Sequence, residues 1–113
     1  MSVPADSGRQ AETVFACNLE AIGAAGRPRY NELVKQIRAA MRERSEIREG
    51  YRFRLDGKAV TLCETAEWIE MERLCCPFLT FQLTASGGNS EWLLAISGAE
   101  GVKALIAAEF PAP

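Results

Sequence analysis

Hydrophobic and polar positions alternate in two rhythms along the 113-residue chain, and the changes of rhythm mark its elements. Tyr30, Leu33, Val34, Ile37 and Met41 fall three and four apart, so 28–45 is predicted as an amphipathic helix opened by Pro28. Glu32, Lys35, Arg38 and Arg42 fall on its outer face. "GYRFRLDG" (50–57) alternates strictly, with Tyr51, Phe53 and Leu55 on one side and Arg52 and Arg54 on the other. That is a half-buried strand ending in an Asp-Gly turn. "TLCE" (61–64) has the form of a capping box, so a second helix starts near Thr61. Its stripe is Leu62, Ala66, Ile69 and Arg73, flanked by Trp68 and Met71, and Pro77 ends it.

"FLTFQLTA" (78–85) and "EWLLAIS" (91–97) flank "SGGNS" as a β-hairpin. "SGAE" (97–100) is a second capping pattern, opening a last helix with Val102, Leu105, Ile106 and Phe110. Ahead of all these, "TVFACNL" (13–19) mixes β-branched and aromatic residues as a first strand, which carries Cys17. The expected order is β-α-β-α-β-β-α. This is one α+β domain over 12–113, with a four-stranded sheet and helices mainly on one face, behind a flexible tail at 1–11.

Composition narrows the function. Hydrophobic content of 48% and charged content of 25% are those of an ordinary globular protein. A net charge of −2 argues against nucleic acid as a partner. No apolar run reaches the roughly 20 residues of a membrane span, and the N-terminus lacks a signal-peptide pattern. The expectation is a cytoplasmic protein with reduced thiols. Its four cysteines are then free thiols, metal ligands or redox centres before they are structural disulfides. The chain has no histidine, which excludes a Cys-His or Ser-His pair and any imidazole metal site within one chain.

The chemistry concentrates in "EWIEMERLCCPFLTF" (67–81), where adjacent thiols sit at a helix-to-strand corner. Residues three and four apart share a helix face, so Glu72 lies one turn below Cys75 and Cys76. Cys63 is about 18 Å from Cys75 along the axis and is read as a small core residue. Cys17 sits on a strand that could pass the helix end. Trp68, Phe78, Phe81 and Trp92 are read as core aromatics, with a small apolar pocket over the thiols as the alternative.

Three readings of the pair stand side by side. In the first, the cysteines are small packing residues, and the protein is an interaction module. In the second, Cys17, Cys75 and Cys76 hold a soft ion such as Zn(II), Cu(I), Hg(II) or As(III), with Glu72 as auxiliary ligand or proton acceptor. The third is Cys-dependent catalysis, either thiol redox or metal–carbon cleavage, with Glu72 as acid/base. A helix C-terminus disfavours a thiolate, and adjacent Cα atoms about 3.8 Å apart are too close for an unstrained disulfide. Both points weigh against the third reading. No organic cofactor is expected. The ligand would be a metal ion or a small thiophilic molecule, and a homodimer completing the site stays open.

"FACNL", "GYRFRL", "AEWIEMERLCCPFLTF" and "SGAEGVKALIAAEF" together resemble a group of small uncharacterised bacterial proteins. Their shared pattern is E-R-x-C-C-P-F, then a hairpin and G-x-E-G-V-K, with a loose link to heavy-metal resistance. The resemblance spans about residues 13–110. It implies that Cys17, Glu72, Cys75 and Cys76 act together, and names no reaction.

Overall fold

A computed structural model describes residues 18–112. After a 3-10 turn at Leu19–Ile22 come α1 (Arg27–Ala40), β1 (Met41–Ile47), β2 (Gly50–Asp56), α2 (Leu62–Cys75), β3 (Thr80–Ala85), β4 (Glu91–Ser97) and α3 (Lys103–Glu109). The strands form one antiparallel sheet in the order β1-β2-β4-β3. The α+β class and the four-stranded sheet are as the sequence predicts. Phe53 and Leu55 of β2 and Leu94 and Ile96 of β4 alternate onto one face. There they are buried with Leu33, Ile37, Trp68 and Ile106 of the helices. Trp68 anchors this core by meeting Phe81 and Phe110 edge-on, with ring centroids 5.8 and 5.7 Å apart.

Several local expectations need correction. The helix predicted over 28–45 ends at Ala40, and Met41–Ile47 is a strand that pairs with β2 around Arg48 and Glu49. Met, Arg and Glu favour helices, but β2 offers this segment a full ladder of backbone partners, and tertiary pairing outweighs propensity. The predicted strand 13–19 lies outside the described residues up to position 17, and Leu19 opens the 3-10 turn. Ser97 ends β4 and caps nothing. The chain turns at Gly101, whose φ of 94° is in the left-handed region, and α3 begins only at Lys103.

The second helix starts as predicted, with Thr61 accepting from the Glu64 N–H and the Glu64 side chain accepting from the Thr61 N–H. Its buried stripe is a different one. Thr65, Trp68, Glu72 and Cys75 face the core, whereas Leu62, Ala66 and Arg73 are exposed. Apolar residues lie on both sides of α2, so their spacing cannot choose a face. Cys63 is likewise exposed, not a core residue.

Candidate metal and thiol site

The last turn of α2 and the corner after it build the site. Cys75 is the final helical residue, and Cys76 leaves the helix at φ −129°, ψ 67°, as the following proline requires. The Cys76 N–H still donates to the Glu72 carbonyl at 2.7 Å, so the corner stays tied to the helix as it turns. Leu79 N–H donates to the Cys76 carbonyl at 3.1 Å and leads the chain into β3. The Asn18 N–H donates to the Cys75 carbonyl at 2.8 Å, which satisfies one of the carbonyls the helix end leaves open.

Glu72, Cys75 and Cys76 converge as the three-residue spacing predicts. All three are buried, and one carboxylate oxygen and the two sulfurs lie within 4.8 Å of one another. Cys75 Sγ donates to Glu72 Oε1 at 3.5 Å and lies 3.6 Å from Cys76 Sγ. Cys76 is disulfide-bonded, while Cys75 carries a free thiol. A site that uses both sulfurs therefore belongs to the reduced protein. Cys17, the expected third sulfur, lies outside the described residues.

The Tyr30 hydroxyl, which the sequence offers only as part of the α1 stripe, donates to Glu72 Oε2 at 2.6 Å. Nothing in the sequence flags this pair, because its members are 42 positions apart and meet only when α1 packs on α2. The Trp68 indole N–H, one turn before Glu72, is buried and makes no hydrogen bond of good geometry among the described residues, yet it lies near enough to help hold the Glu72 carboxyl down. Arg73, the basic residue of the last turn of α2, is exposed on the outer side of the helix and makes no ion pair among the described residues.

The electrostatics follow from burial. Loss of solvent raises the Glu72 carboxyl above its ordinary range, while the Tyr30 and Cys75 hydrogen bonds pull it partly back. Burial first, and then the neighbouring Glu72 charge, push the Cys75 thiol up to about 12. Burial and Glu72 also raise the Tyr30 phenol. The resting site thus favours protonated groups, which can yield their protons to a bound cation.

The chain matches no protein-family model, no curated protein and no solved structure. Function must therefore be read from the site. Among the described residues, no helix is long and apolar enough to cross a membrane.

Proposed function

We propose that the reduced protein binds a soft metal or metalloid ion through Cys75, Cys76 and Cys17, with Glu72 as auxiliary oxygen ligand or proton acceptor. Its service would be sequestration, transfer or sensing in a reducing cytoplasm. The observation that carries this reading is the convergence of one carboxylate oxygen and two sulfurs within 4.8 Å in a buried corner. With metal–sulfur bonds of about 2.3 Å, sulfurs 3.6 Å apart subtend roughly 100° at a shared ion. Carried over from the structure, in which Cys76 is disulfide-bonded, to the reduced pair, that angle would suit tetrahedral Zn(II) or pyramidal As(III), whereas linear Hg(II) or Cu(I) would need the sulfurs about 4.6 Å apart.

Support for Cys17 is the bond from the Asn18 N–H to the Cys75 carbonyl, which ties the next residue of the chain to the thiol corner. The resemblance built on E-R-x-C-C-P-F groups the same four residues.

Catalysis by thiol–disulfide exchange is the second reading, favoured by the free Cys75 thiol 3.6 Å from the sulfur of disulfide-bonded Cys76. It ranks below binding because a thiol pushed up to about 12 is a poor nucleophile near neutrality.

Titration of the reduced protein with Zn(II), arsenite, Hg(II) and Cu(I) tests the proposal. Cys75→Ser and Cys76→Ser should each weaken binding at least tenfold, while Cys63→Ser binds as wild type. Affinity should fall as pH drops, since binding displaces thiol protons. Equally weak binding by wild type and both site variants would sink the proposal.

A further inference from the structure

The two edges of the sheet differ in chemistry. β1, at one edge, carries Arg42, Glu43, Arg44 and Glu46, the charge pattern that keeps an edge strand from pairing with another chain. β3, at the other edge, is Thr-Phe-Gln-Leu-Thr-Ala over residues 80–85 and has no charge at all. It pairs with β4 alone among the described residues, so half of its backbone donors and acceptors face outward. Thr80, Gln82, Thr84 and Ala85 are exposed. Phe81 and Leu83 sit on the core face opposite Ile96 and Leu94, yet they are only half-buried where those partners are fully buried. Among the described residues the edge is therefore uncharged, unpaired, and incompletely covered on its apolar side.

We infer that the free edge of β3 is a homodimer interface, in which two copies pair β3 antiparallel about a twofold axis at Gln82 and extend the sheet to eight strands. Residues directly opposite each other in a sheet point to the same face. Pairing centred on Gln82 sets Thr80 opposite the partner's Thr84, Phe81 opposite the partner's Leu83, and Gln82 opposite the partner's Gln82. Each is a favourable cross-strand pair: hydroxyl with hydroxyl, aromatic with aliphatic, amide with amide. The register keeps the core face on one side throughout, so the half-buried Phe81 and Leu83 cover each other. A second copy fits this edge better than an unrelated strand because twofold symmetry supplies the Thr and Phe–Leu pairs twice over, with no charge opposed. A six-residue strand pair buries less than a standard interface, so the dimer should dissociate on dilution.

Sedimentation of the reduced full-length chain over a concentration series reads the equilibrium. The wild type should move from monomer to dimer as concentration rises. Gln82→Lys and Gln82→Glu each place like charges face to face at the axis, and each should raise the dimer dissociation constant at least tenfold. Gln82 is exposed, so circular dichroism of both variants should match wild type. An equimolar mixture of the two variants should dimerise about as well as wild type, because opposite charges then meet at the axis.

A wild type that stays monomeric up to about 100 μM, within the range of weak interfaces, overturns the inference. So does a dimer indifferent to both Gln82 variants, or one broken by Leu74→Glu on the outer face of α2. Metal titration is a separate readout, so this result does not depend on the proposed function.

Discussion

Glu72 is a carboxyl 3% exposed, and its surroundings set the pH behaviour of the site. An acid whose folded pKa is raised adds stability that is complete below its unfolded value and is lost as pH rises through the folded one. The Glu72 contribution to stability should therefore fall as pH rises from the ordinary Glu value of about 4.3 toward its raised folded value. It runs against the opposite contributions of Glu46, Asp56, Glu64 and Glu67, whose carboxyls are lowered, and the difference between wild type and Glu72→Gln isolates it. A second fall is expected between about 9 and about 12, where the unfolded Cys75 thiol ionises and the folded one does not. Glu72→Gln keeps the shape and removes the charge. It should remove the first of these contributions from urea unfolding measured from pH 4 to 8. By withdrawing the carboxylate that opposes it, the change should also bring the Cys75 thiolate absorbance to lower pH, though burial still holds it above an ordinary thiol. An unchanged thiolate titration would show that Glu72 does not bear on Cys75 electrostatically.

At the scale of the element, α2 carries the site and its start is fixed locally. Both halves of the capping box are made, at 3.0 Å from the Glu64 N–H to the Thr61 hydroxyl and 2.9 Å from the Thr61 N–H to Glu64. Thr61→Ala removes the first and should cost about 1 kcal/mol, seen as a lower urea midpoint with an unchanged slope. Metal stoichiometry should not change, since the thiols lie at the other end of the helix. The outer face of α2 shows what local pattern leaves undecided. Leu62, Ala66, Ile69 and Arg73 share the spacing of a stripe, yet Leu62, Ala66 and Arg73 are exposed, Ile69 is only half-buried against the core, and Trp68 and Glu72 are buried instead. A Trp side chain filling the space over Phe81 and Phe110 outweighs the smaller residues opposite. The Tyr30 hydroxyl supplies the hydrogen bond that a buried carboxyl needs.

Across the whole molecule, the sheet holds α2 and the corner in place, and Gly50, the first residue of the inner strand β2, stands where the neighbouring strand comes closest. Gly50 pairs with Ile47 on one side and Ser97 on the other, and a Cβ there would stand 1.9 Å from the Ile96 carbonyl oxygen. The obstacle is backbone of the neighbouring strand, which cannot swing aside as a side chain would. Gly50→Ala should cost about 1–3 kcal/mol or more, measured as a lowered thermal midpoint, with spectral changes in the sheet and not in α2. Wild-type stability in that variant would mean the β2–β4 approach relaxes freely.

Much of this protein was legible in the sequence because its signals are local. The strict alternation of Tyr51–Leu55, the hairpin around "SGGNS" and the Thr61–Glu64 box each depend on neighbours within a few positions. The convergence of Glu72, Cys75 and Cys76 follows in the same way from helical spacing and the proline after it. Tertiary structure decided the rest, where two local solutions were nearly equal or where the partner was distant. It drew Met41–Ile47 out of a helix because β2 offered that segment a ladder. It turned Trp68 and Glu72 inward because the core needed the larger volume and Tyr30 could satisfy the acid. It exposed Cys63, and it brought the Tyr30 hydroxyl to Glu72 across 42 positions. Spacing along a chain specifies which residues share a face, while packing against the rest of the molecule specifies which face is buried.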